Sequence, residues 1–222
     1  MDNKRFAFFD VDDTLISIKS MFDFFSFWGA RTGAHALVDE FEQYFAHARK
    51  SKVAREELNR MYYRFLRGTL LSDLESAGRD WFADRFKGAD APYIKSTLAR
   101  LRVHQDKQVE VVFVSGSMLP LLQPLADTLG VIHCLCAKLI LDDDQRLTGE
   151  IGTPQTIGDG KAEAIRIFVE EKKIQASQCY GYGDDISDLP LLESVGHPVV
   201  VASNGLLFDI AKNRRWEIIA HH

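Results

Sequence analysis

The chain has 222 residues, 46% of them hydrophobic, which is enough to bury a sizeable core as one large domain or as a domain carrying an insert. Its 32 acids outnumber 27 bases for a net charge of −5; this argues against a nucleic-acid partner, which would usually meet a basic surface, and leaves small anionic ligands open. No apolar run approaches the ~18 residues of a membrane helix, and three cysteines are too few for a disulfide framework, so a cytoplasmic protein with no membrane contact is expected.

Phe6 to Phe9 is an apolar run that ends abruptly in Asp10, Asp12 and Asp13, three carboxylates within four residues. Apolar residues followed at once by acids read as a buried strand that delivers its C-terminal end to a polar site. In open α/β sheets that edge is where ligands bind. Asp10 and Asp12 alternate by two and would share a face of a continuing strand. Carboxylates that close repel each other unless a cation or a shared proton intervenes, so the stretch implies a bound metal, one acid held protonated, or both. Asp13 is expected to be exposed.

From Ser17 to Lys87 the strand signal disappears. Met21, Phe24, Phe25 and Trp28 recur at helical spacing, followed by Leu37, Phe41, Tyr44 and Phe45, by Leu58, Met61, Tyr62 and Phe65, and by Leu74, Trp81, Phe82 and Phe86. Gly29, Gly33 and Gly68 suit breaks, and Ser51 to Arg55 a connection. The spacing predicts about four helices whose aromatic residues, Phe24, Phe25, Tyr62 and Tyr63 among them, pack together. An all-helical block between a first strand and a later α/β region predicts a second domain, residues 17–88, inserted into a core built from residues 1–16 and 89–222.

Beyond the block, strands and helices alternate. A helix is predicted over Pro92–Arg102 with Pro92 near its first turn. Val109 to Val114 is a β-branched apolar run, hence a buried strand, ending in Ser115-Gly116-Ser117. A helix from about Met118 to Leu129 contains Pro120 and Pro124, the latter implying a kink or a later start. Short strands follow near Ile132–Leu135 and Lys138–Leu141, with Asp142-Asp143-Asp144 as a solvated hairpin turn. Gly158-Asp159-Gly160-Lys161 opens a helix to about Glu171. A strand at Gln178–Tyr182 ends in Gly183-Asp184-Asp185-Ile186-Ser187-Asp188, and a helix carries Leu189 to Leu192. Pro198–Ala202 reads as a strand, Ile210 and Ala211 as part of a helix, and Trp216–Ile219 as a last strand. This alternation predicts an α/β fold with a doubly wound parallel sheet. Cys134 and Cys136 beside His133 lack a second pair of zinc ligands and read as small residues buried near a strand. His221 and His222 read as the start of a purification tag.

Four strand or helix ends thus present polar groups: Asp10 with Asp12, Ser115, Lys161, and Asp184 with Asp188. Together with the pattern apolar-apolar-Asp-x-Asp-x-Thr-Leu at Phe8–Leu15, and in this order, they resemble the four motifs of the haloacid dehalogenase-like hydrolases, most of which are magnesium-dependent phosphatases. The helical block resembles the cap of the subgroup that contains phosphoserine phosphatase. The resemblance implies a Rossmann-like core with a helical cap and a Mg²⁺ ion held by the side chains of Asp10 and Asp184 and the backbone carbonyl of Asp12. It makes Asp10 the nucleophile that forms an aspartyl-phosphate and Asp12 the general acid and then base. Ser115, the backbone N–H of Gly116, and Lys161 would hold the phosphate. Asp188 would orient Lys161 or metal-bound water, and Asp185 is either a supporting partner or a surface acid. A lysine opening a helix opposes the helix dipole, and a nearby anion would offset that.

The implied substrate is a small phosphorylated metabolite. In phosphoserine phosphatases a glutamate shortly after the first motif receives the substrate ammonium; Lys19 stands at that position here, which argues against free phosphoserine. Lys19 either meets a further anionic group or is an exposed lysine opening a helix. Arg60, Arg64 and Arg67 share a helix at i, i+3 and i, i+4 spacings, and either line a closed cap or form a solvated face. Competing readings are a phospho-accepting signalling module, a catalytically silent relative that only binds, and a phosphomutase or dehalogenase on the same scaffold. A receiver module would carry its nucleophile on a later strand, and dehalogenation needs no Mg²⁺ and leaves the extra acids unexplained. The sequence carries no signal for oligomeric state.

Overall fold

The computed structural model describes residues 4–220; His221 and His222 lie outside them. The chain opens with β1 (Phe6–Phe9) and continues into α1 (Ser20–Thr32), α2 (His35–Lys50), α3 (Arg55–Phe65), α4 (Leu71–Arg85) and α5 (Lys95–Asp106). β2 (Glu110–Met118), α6 (Leu119–Leu129), β3 (His133–Ala137), β4 (Leu139–Leu141) and β5 (Leu147–Ile151) follow. The last third comprises α7 (Asp159–Lys172), β6 (Tyr180–Gly183), α8 (Leu189–Glu193), β7 (His197–Val201), α9 (Leu206–Arg214) and β8 (Glu217–Ile219). Among the described residues no helix is long and apolar enough to cross a membrane.

Six strands form a parallel sheet in the order β3-β2-β1-β6-β7-β8. β1 has no polar residue because both of its faces are covered, as parallel strands require. Ala7 and Phe9 join Leu101 of α5 and Leu122 and Leu125 of α6 in one core. Phe6 and Phe8 join Ile165 and Phe168 of α7, Leu191 of α8, and Leu207 and Ala211 of α9 in the other. Helices on both faces make the sheet doubly wound, as the alternation predicts. From β1 the chain moves to one side of the sheet, towards β2, and from β6 to the other, towards β7. The C-terminal ends of β1 and β6 therefore flank the point where strand order reverses, which is where a crevice opens in such sheets.

The helices α1–α4 fill the stretch between β1 and α5 and share a third core, with Phe24, Phe25, Phe41, Phe45, Tyr62, Tyr63 and Trp81 buried in it. Gly29 does not break α1. It lies inside the helix, where an added Cβ would come 2.1 Å from Val38 Cγ2, so its lack of a side chain lets α2 pack close. Pro92 lies outside α5, which starts three residues later at Lys95; its carbonyl accepts a hydrogen bond from the Ser17 N–H at 2.8 Å and ties the two ends of the helical stretch together. β4 and β5 form an antiparallel hairpin apart from the main sheet, turned by the acidic run Asp142–Asp144. Backbone bonds link it to the segment after α3: the Gly68 N–H donates to the Leu147 carbonyl at 2.8 Å, and the Leu147 N–H to the Thr69 carbonyl at 2.9 Å.

Candidate active site

The reversal point gathers the polar strand ends. Asp10 directly follows β1, and its N–H donates to the Tyr182 carbonyl of β6 at 3.0 Å, so ladder pairing fixes its position. Asp184 directly follows β6, and its Oδ1 accepts a hydrogen bond from Thr14 Oγ1 at 2.9 Å. Lys161, in the first turn of α7, is buried and reaches both Asp10 Oδ1 at 2.5 Å and Asp188 Oδ1 at 2.6 Å. The other oxygen of Asp188 accepts from the N–H groups of Asp184 and Asp185, each at 3.2 Å. With both oxygens engaged, Asp188 anchors the turn after β6 as well as the lysine.

Oxygen atoms of Asp10, Asp184 and Asp188 all lie within 4.8 Å of one another. Three carboxylates gather around one ammonium that contacts only Asp10 and Asp188, an excess of negative charge in a largely buried place. Burial pushes the Asp10 carboxyl up; Lys161 opposes this and Asp188 adds to it. Burial, together with Asp10 and Asp188, pushes Asp184 up to about 8. Burial also works against the charge on Lys161, but the two carboxylates outweigh it and hold the ammonium well above its ordinary range. A hard divalent cation with oxygen ligands fits this donor set and would relieve the repulsion. Asp10 and Asp184 are the members suited to hold it, since Asp188 is committed to Lys161 and the backbone.

Asp12 lies in the same cavity and makes its bond elsewhere. Its Oδ2 accepts from the Ser20 N–H, the first residue of α1, at 3.0 Å, an interaction that the helix N-terminus favours. Its Oδ1 is buried and has no hydrogen-bond partner among the described residues. Burial pushes Asp12 up to about 7, against the pull of the Ser20 bond and with a further push from Asp10. The protonated acid is therefore accessible near neutral pH.

Ser115-Gly116-Ser117 belongs to β2, which runs on to Met118 instead of ending at Val114 as the sequence suggests; the pairing with β3 shifts register between Val114 and Met118. Ser115 is buried, and its carbonyl accepts from Thr156 Oγ1 at 2.6 Å. The Gly116 carbonyl accepts from Asn59 Nδ2 at 2.9 Å and from Tyr63 Oη at 2.7 Å, both on α3. A Cβ on Gly116 would come 2.7 Å from Ile157 Cγ1 and 3.3 Å from Asn59 Nδ2, so only glycine fits beneath that grip. The same helix reaches the core at two further points. Arg55 donates to Asp185 at 2.9 Å and to Ser187 Oγ at 3.0 Å, and Gln155 Nε2 donates to Asn59 Oδ1 at 3.0 Å.

The structure thus brings Asp10, Asp12, Ser115, Gly116, Lys161, Asp184, Asp185 and Asp188 to one cavity of about 770 Å³. Lys19 also lines it, but its ammonium sits 2.5 Å from Asp13 Oδ2 at the rim. Asp13 is accordingly a half-buried partner of Lys19. Arg64 lies on the solvated face, the second of its two expected places, and not in the pocket; it pairs with Glu57 at 3.4 Å and Glu150 at 3.3 Å on the outside. The reason is helical phase: α3 buries Asn59, Tyr62 and Tyr63, which turns Arg60 and Arg64 outwards, while Arg67 lies in the turn beyond the helix. Sequence reasoning passed over Arg55, Asn59 and Thr156, and took Tyr63 for packing alone. Its one signal was Asn59, a polar residue on the stripe of α3 that also carries Tyr62 and Tyr63.

Comparison with known proteins agrees with this geometry. The family model described as haloacid dehalogenase-like hydrolase matches residues 7–193. A probable phosphatase of Mycobacterium tuberculosis is 37% identical over 111 residues, a match that spans 50% of this chain and only 38% of that protein's length. Among solved structures, a Bordetella pertussis Tohama I protein of unknown function superposes with a TM-score of 0.82 at 21% identity, covering 98% of both chains. A phosphoserine phosphatase, solved as a phospho-aspartyl intermediate analogue, superposes with a TM-score of 0.68 at 17% identity, covering 100% of this chain and 95% of that one; at these identities the likeness is one of fold. With four motif segments in order, their side chains gathered at the reversal point of a doubly wound sheet, and a model match over most of its length, the chain belongs to the haloacid dehalogenase-like hydrolase family.

Proposed function

We propose that this protein is a Mg²⁺-dependent phosphomonoesterase that works through an aspartyl-phosphate on Asp10. The observation that carries the reading is the bridge of Lys161 between Asp10 and Asp188, with Asp184 alongside. A phosphate monoester carries close to two negative charges near neutral pH and must be neutralised before a carboxylate can approach it. Mg²⁺, held by Asp10, Asp184 and the Asp12 backbone carbonyl, would supply that neutralising charge. Lys161 adds a second positive group at the nucleophile, while the Ser115 hydroxyl and the Gly116 N–H bind phosphate oxygens.

In the first step an Asp10 oxygen forms a bond to phosphorus as the bond to the ester oxygen breaks, and Asp12 gives its proton to the departing alkoxide. In the second, water attacks the phosphorus, Asp12 takes its proton back, and inorganic phosphate leaves with Asp10 restored. The buried, unpartnered Oδ1 of Asp12 suits it to carry that proton. Residues 17–88 act as a cap over a core of residues 1–16 and 89–222, and the contacts of Arg55, Asn59 and Tyr63 hold it closed against water.

Hydrolysis of p-nitrophenyl phosphate tests the reading. Turnover is expected to depend on added Mg²⁺, to stop with EDTA, and to resume when the ion is restored. Metal binding between repelling carboxylates should also raise the melting temperature, by the equivalent of ~2.7 kcal/mol at a hundredfold excess over Kd. Metal-independent turnover would contradict the proposal.

A further inference from the structure

The cavity extends well beyond what a phosphate group needs. Clefts of roughly 300–1,000 Å³ accommodate drug-sized ligands, and this one, at about 770 Å³, continues from Asp10 and Lys161 outwards between three helices. Its outer wall consists of Met21 and Phe22 from α1, Phe41 and Phe45 from α2, and Leu58 and Tyr62 from α3. Phe22 and Leu58 are half-buried and form the accessible part; the others lie behind them in the helical core.

Two of the cations on this cavity outside the phosphate site are paired with carboxylates. Lys19 is paired with Asp13, and Arg55 with Asp185. Arg49 Nε donates to the Phe45 carbonyl at 3.2 Å, and its guanidinium lies over the Phe22 ring with 5.8 Å between guanidinium carbon and ring centroid. A carboxylate on the alcohol portion of the substrate would compete with Asp13 for Lys19 and with Asp185 for Arg55. One more observation points to a ligand. The Tyr62 hydroxyl, 1% exposed as a residue, has no hydrogen-bond partner among the described residues, although Tyr62 lines the cavity and lies within electrostatic reach of Asp12. Buried hydroxyls are normally satisfied, and an ester or alcohol oxygen just beyond the phosphate would satisfy this one.

Resting on the phosphatase reading above, we infer that the substrate is the phosphate monoester of an apolar alcohol, its hydrocarbon portion lying against Phe22 and Leu58 and its oxygen near Tyr62. An amino-acid phosphate such as phosphoserine would place two charges against Phe22 and Leu58.

A homologous series of straight-chain alkyl phosphates, ethyl to octyl, tests the inference on the unmodified protein with Mg²⁺. Leaving-group chemistry is nearly constant along it, so a trend in kcat/KM reports burial. Full burial is worth about fourfold per methylene; a rise of at least about twofold per methylene over the first several carbons is expected, with octyl phosphate exceeding O-phosphoserine by more than tenfold. In Leu58→Asp the octyl-to-ethyl ratio should collapse towards one. A flat series, a phosphoserine rate equal to that of octyl phosphate, or an unchanged ratio in the variant would overturn this inference while p-nitrophenyl phosphate turnover left the phosphatase reading standing. Absence of turnover on every ester, p-nitrophenyl phosphate included, would overturn both.

Discussion

The grip of α3 on the Gly116 carbonyl allows a quantitative test of how the helical cap positions the phosphate loop. Two donors, Asn59 Nδ2 at 2.9 Å and Tyr63 Oη at 2.7 Å, share this one acceptor. Tyr63→Phe removes one bond without changing packing and leaves the carbonyl satisfied by Asn59, at a cost of about 1 kcal/mol. Asn59→Ala removes the other and also releases Gln155, which keeps its 2.8 Å bond to the Glu56 carbonyl, so about 1–2 kcal/mol is expected. The double variant leaves the half-buried carbonyl with neither donor, which adds a desolvation penalty of up to about 1–3 kcal/mol that neither single change incurs. The cycle should therefore show a coupling of at least ~0.5 kcal/mol beyond the sum of the single losses. For a protein of this size about 1 kcal/mol shifts the melting temperature by roughly 2–4 °C, well within the reach of thermal and urea unfolding. Because the carbonyl fixes the direction of the Gly116 peptide, turnover of p-nitrophenyl phosphate should fall further in the double variant than in either single one. Strictly additive losses would show that the two side chains do not share this acceptor in solution.

Further outcomes follow from the same geometry. Asp12→Asn keeps an acceptor for the Ser20 N–H but cannot give or take the proton, so kcat on an alkyl phosphate should fall by roughly 10²–10⁴ with the fold intact by circular dichroism; near-native turnover would remove Asp12 from the proton path. His104, buried and bonded through Nε2 to the Tyr182 hydroxyl at 2.8 Å, is pushed down from 6.5 to about 4 by burial, with Arg100 and Lys107 adding to the effect. The unfolded chain therefore takes up a proton that the folded chain refuses between pH 6.5 and about 4, and the contribution of His104 to stability is complete above pH 6.5 and lost as pH falls through that window. Allowing for partial solvent screening, the stability gap between the native protein and His104→Gln should narrow by ~1–2 kcal/mol from pH 7 to pH 4, read from urea midpoints; a gap that stays constant would mean that His104 is protonated in the folded state.

Most of the sheet was legible because strand ends announce themselves chemically. Phe6–Phe9 runs straight into Asp10, and Val111–Val114 into Ser115, so both the burial of the strand and the polarity of its end are local signals. The same locality made the helical stretch visible through its aromatic spacing. What the sequence hides is contact at long range. Asn59 and Gly116 are 57 positions apart, and Arg55 and Asp185 130, and no periodicity marks either pair. On sequence alone, Arg64 stays open between the cap lining and a solvated face for a related reason. Charge spacing identifies a helix face, but only the burial of Tyr62 and Tyr63 shows which face turns inwards. Tyr62 and Tyr63 themselves satisfy a packing pattern with their rings, and the pattern says nothing of where their hydroxyls point.

Covalent capture of phosphate by Asp10 is the step on which the proposed chemistry turns. Acid quenching during turnover of a phosphate ester, followed by peptide mass spectrometry, should find the mass of one phosphoryl group on the peptide that contains Asp10 and none in Asp10→Asn, which should also be inactive. Continued turnover in Asp10→Asn, or a phosphoryl group on a different residue, would contradict the account.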